Sequence, residues 1–423
     1  MKAILDVVQK HKAGQPIGIY SVCSAHPIVI EAALRVGLGK DIPILIEATS
    51  NQVNQFGGYT GMTPNLFRQF VVDIAETVGF PLNQLLLGGD HLGPNCWQGE
   101  IAEEAMAKSD VLIEQYVSAG FRKIHLDCSM SCKDDSVPLS DEVVASRAAR
   151  LCAVAEAAWQ KVGGEAPVYI VGTEVPVPGG AHEDLQELSV TTPVAAAATI
   201  KAHRIAFMAA GLGSVWPRVV GLVVQPGVEF DHHKVIDYRR AKAIELSQFI
   251  ESEPTLVYEA HSTDYQTPAN LKSLVGDHFA ILKVGPGVTF ALRETLWALA
   301  DIEIEWLDKR SSNFKNIVLA VMEAEPNYWK KYYCDEVRQD FDKQFSLSDR
   351  IRYYWPHPAI QKAQAIMLSN LEREPVPLTL LSQYLPVQYA AIRDGRLVNK
   401  PTEILIDGVA NVLHQYINAC SAS

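Results

Sequence analysis

Eleven ionisable residues stand at or just beyond the ends of short apolar runs: His26, Glu47, Asp90, His91, Asp127, Glu174, His182, Glu259, His261, Asp264 and Lys283. Carboxylates are rarely buried unpaired, so acids delivered by apolar segments point to a site. Imidazoles and carboxylates that converge from separate segments bind a divalent ion of the zinc or manganese kind. The expected ligands are a subset of His91, Glu174, His182 and His261, and the expected proton-transfer groups are Asp90, Glu47, Glu174 and Glu259. The centre of the set is Gly88-Gly89-Asp90-His91-Leu92-Gly93-Pro94, which follows Leu85-Leu86-Leu87. Adjacent residues at a strand end point in different directions. If His91 takes the metal, Asp90 is left to move a proton, kept ionised by the neighbouring cation. The metal would polarise a carbonyl and hold the enediolate that forms. His125 and Tyr258 lie inside apolar runs and are expected to serve packing or polar layer contacts. Lys283 with Gly285 and Gly287 occupies a place where backbone N–H groups bind phosphate, and Gly57 and Gly58 offer an alternative.

Positioning such residues requires rigid elements. Eight short apolar runs read as strands at about 17–23, 42–46, 85–87, 123–127, 168–172, 219–224, 255–258 and 279–284. Helical patterns separate them, including Pro27 onward, Thr63 onward, 97–119, 141–161, 192–211, 238–251 and 268–275, after an opening helix near 2–13. Continuous rather than alternating apolar runs mark parallel strands covered on both faces. Polar residues recur at many strand exits, whereas an open doubly wound sheet concentrates them at one switch point. The reading is therefore an α/β chain with a TIM (β/α)8 barrel over residues 1–291. Residues 292–423 are helical and rich in Trp and Tyr, and read as an extension packed on the barrel.

A net charge of -12 argues against a nucleic-acid partner, because phosphate backbones are held by clustered Lys and Arg. Seven cysteines without framework spacing read as reduced thiols of a cytoplasmic protein. No apolar run is long enough to span a membrane. No Gly-x-x-x-x-Gly-Lys-Ser/Thr loop is present, so no nucleotide cofactor is expected and kinase chemistry has no support.

Several longer stretches are distinctive. Residues 21–27 (SVCSAHP), 46–53 (IEATSNQV), 55–64 (QFGGYTGMTP) and the Asp90-His91 segment resemble the GatZ/KbaZ family of D-tagatose-1,6-bisphosphate aldolase subunits, on the KbaZ side. Residues 172–183, 223–230, 259–266 and 353–356 extend the likeness over nearly the whole chain. The resemblance implies an accessory subunit, without aldolase activity alone, that supports the activity and stability of a catalytic class II Y-type partner in an oligomer. The pathways implied are galactitol and N-acetylgalactosamine breakdown through tagatose 6-phosphate. It also implies an alternative, since some related Z-type proteins are metal-dependent 4-epimerases of ketohexose 6-phosphates such as fructose and tagatose 6-phosphate. Asp90-His91 is similar to the Asp-His pair of Y-type aldolases, in which Asp transfers a proton and His binds zinc. The later His-Gly motifs of those enzymes are absent here, and the fifth and seventh exits offer Glu174, His182, Glu259 and His261 instead.

Overall fold

A computed structural model describes residues 2–173 and 188–421. Eight parallel strands close into a barrel: β1 Ile19–Cys23, β2 Ile44–Thr49, β3 Leu85–Leu92, β4 Lys123–Leu126, β5 Val168–Val171, β6 Val219–Val223, β7 Val257–Ala260 and β8 Ile281–Val284. β1 pairs with both β2 and β8, which completes the ring. The helices α1 Lys2–Lys12, α2 Pro27–Gly37, α3 Pro64–Val78, α4 Ala102–Ser118, α5 Asp141–Val162, α6 Pro193–Ala209, α7 Arg240–Ile250, α8 Pro268–Gly276 and α9 Pro286–Leu307 follow in order. Many start on proline, whose fixed φ suits the first turn, and Ser140, Thr192 and Thr267 accept a backbone N–H through their side chains at α5, α6 and α8. Inside the barrel, Ile19, Leu45, Leu86, Val168, Ile170, Val257 and Ile281 form an apolar plug, closed below by Ile4 and Val8 of α1.

The strands reach further than the apolar runs alone indicate. β2 extends to Thr49, β3 to Leu92 and β7 to Ala260, so Glu47, Asp90 and Glu259 are strand residues rather than exit-loop residues. The reason is pairing: charges inside the barrel are met by opposite charges at the same level, so polarity does not end the strand.

The extension adds α10 Phe314–Ala324, α11 Gln339–Phe345, α12 Pro358–Arg373, α13 Leu378–Tyr384, α14 Pro386–Arg393 and α15 Pro401–Cys420. α9 runs unbroken through residue 291. α15 packs on β1, α2, α8 and α9. That is the position between the last and first strands where a regular barrel places its eighth outer helix. The helix that follows β8 in sequence, α9, lies against α15, so close that a methyl on Gly408 would sit 2.3 Å from Thr295 Oγ1. The carbonyl of Cys420 accepts a hydrogen bond from the N–H of Gly18 at 2.9 Å.

Candidate active site

A distortion in β3 builds the centre of the site. β3 pairs with β4 through Gly89 opposite Ile124 and Leu92 opposite Leu126, so three steps on one strand match two on the other. His91 takes up the extra residue with φ 47°. Such a bulge re-aims side chains. Asp90 and His91 therefore share one cavity, with His91 Nε2 3.7 Å from Asp90 Oδ2, contrary to the divergent directions of a regular strand end. Two glycines make room. A methyl on Gly88 would lie 2.4 Å from Glu47 Oε1, and one on Gly93 would lie 1.8 Å from the Asp127 carbonyl oxygen.

The surrounding groups form one buried ionic network. Lys123 Nζ bridges Glu47 Oε1 at 2.7 Å and Glu259 Oε2 at 2.6 Å. Lys283 pairs with Glu47, and with Asp90 Oδ2 at 3.0 Å. His125 Nδ1 lies 2.9 Å from Asp90 Oδ1, His91 Nδ1 2.7 Å from Asp127 Oδ2, and His261 Nε2 3.0 Å from Glu259 Oε1. Burial would raise the Asp90 carboxyl, yet His91, Lys283 and the His125 hydrogen bond hold it well below the usual carboxylate range. Glu259 is held low against burial by Lys123 and Lys283. Against burial, Asp90 and Asp127 raise His91, whereas burial dominates at His261 and lowers it to about 4.

The residues fit a divalent cation. Ligand atoms of Asp90, His125, Glu259 and His261 lie within 4.8 Å of one another, as do those of Cys23, Glu47 and Asp90. Nε2 of His125 is buried without a hydrogen-bond partner among the described residues. Among the described residues the four carboxylates Glu47, Asp90, Asp127 and Glu259 meet two ammonium groups, Lys123 and Lys283, and the imidazole of His91, so that even with His91 charged one negative charge is left over in a desolvated site. A buried excess of charge calls for a counter-ion.

The set differs from the one read from sequence. His261 is in it, and His91 lies beside it, its ring centroid 4.9 Å from that of His261. Glu174 and His182 lie outside the described residues. His125, expected to serve packing or polar layer contacts, is a buried member of the cluster. The signal was present: Lys123, His125 and Asp127 alternate with Ile124 and Leu126, and period-two polarity marks the inward face of a strand. Tyr258 does face the packing side, where its hydroxyl donates to the Leu246 carbonyl at 2.8 Å. His26 caps α2, accepting from the Ile28 N–H. The glycines expected to hold phosphate have protein partners instead. The N–H groups of Gly285 and Gly287 donate to Asp264 Oδ1 at 2.9 and 2.7 Å, while those of Gly57 and Gly58 donate to Asn54. Lys283 is engaged by Glu47 and Asp90.

Above the network opens a cleft walled by Asn51, Gln52, Tyr59, Ser262, Arg352 and Tyr353. The family signature of the D-tagatose-1,6-bisphosphate aldolase subunit GatZ/KbaZ-like proteins matches residues 4–421. The chain belongs to that family. Among solved structures, this GatZ/KbaZ-like chain is similar to a probable tagatose 6 phosphate kinase from Sinorhizobium meliloti, with 48% identity and a TM-score of 0.88 over 95% of this chain and 100% of that one. A putative fructose-1,6-biphosphate aldolase from Coccidioides immitis matches at 13% identity and TM-score 0.43, over 88% and 99% of the two chains. The fructuronate-tagaturonate epimerase UxaE from Cohnella laeviribosi matches at 11% and 0.47, over 97% and 82%. No helix among the described residues is long and apolar enough to cross a membrane.

Proposed function

We propose that this family member is a metal-dependent sugar-phosphate enzyme that inverts C4 of a ketohexose 6-phosphate, interconverting fructose and tagatose 6-phosphates. The observation that carries the reading is the buried convergence of Asp90, His91, His125, Glu259 and His261 beneath the cleft. Asp90, held ionised, removes the proton from the C4 hydroxyl. The C3–C4 bond then breaks, its electron pair passing to C3 to give an enediolate of C1–C3, while C4 becomes the aldehyde of the departing three-carbon phosphate. After the aldehyde turns its other face, the enediolate carbon re-forms the bond, and Asp90 returns the proton to the new C4 oxygen. His91, raised toward its charged form and fixed by Asp127, offers Nε2–H to the developing negative oxygen. Zinc or manganese held by His125, Glu259 and His261 would polarise the C2 carbonyl, leaving Asp90 beside it as the base. The full-length protein with added Mn, Zn or Co is expected to interconvert fructose 6-phosphate and tagatose 6-phosphate. Asp90→Asn should lower turnover by about a hundredfold or more. Absence of interconversion by the wild type with all three ions would end the proposal.

A second reading rests on family membership: an accessory role, stabilising a catalytic Y-type aldolase subunit in tagatose 6-phosphate catabolism, galactitol or N-acetylgalactosamine being the source. The two roles are compatible, because the first uses the cleft and the second a surface. Seven free thiols fit a reducing cytoplasm. Co-purification with the Y-type partner separates them: an Asp90→Asn chain that still stabilises the partner without turning over substrate carries both roles.

A further inference from the structure

The glycine turn after β8 has no N–H left for an anion, because Asp264 Oδ1 takes both Gly285 and Gly287. Lys283 is likewise neutralised within the network by Glu47 and Asp90. Among the described residues, the basic side chain of the cleft wall that no carboxylate holds in an ion pair is Arg352, in the single turn Arg350–Tyr353 of the C-terminal extension. Its guanidinium has no carboxylate within 4.0 Å among the described residues. It is braced by neutral groups instead, donating to the carbonyls of Ser348 and Asp349 and lying 3.2 Å from the Tyr353 hydroxyl. The segment is stiff, since Tyr353 stacks on Tyr328 at 5.0 Å and meets Tyr59 at 4.6 Å.

We propose that Arg352, flanked by Tyr59 and Tyr353, recognises the phosphoryl group of the substrate, so that the extension supplies the anion half of a cleft whose acid–base half comes from the barrel. The proposal rests on the sugar-phosphate reading above. Asp264 and Asp349 lie within electrostatic range of the half-buried guanidinium but not in ion-pair contact, so its fork is left to match phosphate oxygens. Tyr59 and Tyr353 add hydroxyl donors at the same wall. Local potential agrees: burial would raise the Tyr353 phenol, yet Arg350 and Arg352 pull it below its ordinary value.

Isothermal titration of the full-length protein with inorganic phosphate tests this without needing turnover. Wild type should bind phosphate saturably and acetate far more weakly, and fructose 6-phosphate should bind more tightly than fructose. R352Q should weaken phosphate binding by about ten- to a hundredfold, and R352K by less. Should R352Q fail to fold, R352K and Y59F carry the test, each with weakened phosphate binding. Wild-type affinity for phosphate in the folded Arg352 variants, or no phosphate binding by wild type, overturns the proposal. Phosphate binding by a wild type that turns over no ketohexose phosphate supports the subsite and sinks only the catalytic reading.

Discussion

A buried imidazole costs little while neutral and much when charged. His203 is the plainest case, because it lies on α6 away from the cleft, with Nδ1 on the Thr199 carbonyl and Nε2 unpartnered among the described residues. Burial lowers it to about 4. Its unfolded counterpart takes up a proton near pH 6.5, so the unfolded chain binds more protons between those values. The stability it preserves is complete above about pH 6.5 and is lost as pH falls toward 4, by up to about 3 kcal/mol. Thermal melts should show His203→Leu losing less Tm than wild type between pH 7 and pH 4.5. Equal losses would refute a neutral His203. At this scale the sequence was legible where an acid or imidazole closed an apolar run, as at Glu47, Asp90, His91 and Glu259. His125, expected to serve packing or a polar layer contact, makes such a contact with Asp90, but its place in the metal-competent cluster was missed although its neighbours alternated in polarity. The sequence was misread at Gly285 and Gly287, because the partner of their N–H groups, Asp264, comes from another strand's exit.

The bulge of β3 sets the geometry that chemistry needs, and Gly93 permits it by letting the chain pass against β4. Gly93→Ala would drive a methyl into the carbonyl of Asp127, and backbone cannot rotate away as a side chain can. The expected cost is about 2 kcal/mol or more, together with loss of the His91–Asp127 contact. Urea unfolding and metal titration of the variant should show both, and wild-type values in both would contradict this account of the bulge. Eight strands and their alternating helices were readable from apolar runs and proline starts. The bulge was not, since nothing in Gly-Gly-Asp-His-Leu-Gly states which residue takes the positive φ. That choice is made across the sheet by Leu126 and Asp127.

At the scale of the molecule, the extension is tied to the barrel through α15, which packs on β1, α2, α8 and α9. Ile404, Leu405, Val409, Leu413, Tyr416 and Ile417 of α15 are buried, and each contributes roughly 2 kcal/mol by leaving water. Their sum rivals the whole net stability of a domain, about 5–15 kcal/mol. Deleting residues 401–421 should therefore give insoluble or unfolded protein, judged by gel filtration and circular dichroism; a soluble, cooperatively melting product would show that the barrel closes without α15. The aromatic, helical character of the extension was visible in sequence, but its seat between α8 and α2 was not, because the helical pattern directly after β8 is the natural claimant. The seat has a consequence during synthesis. Strand β1 leaves the ribosome first among the strands, and the helix that covers it follows every strand of the barrel. Until Cys420 reaches Gly18, the seam between β1 and β8 stays uncovered, so the chain cannot complete its fold domain by domain as it emerges. A chain that stops short of α15 keeps an open apolar face, a natural client for chaperones and proteases.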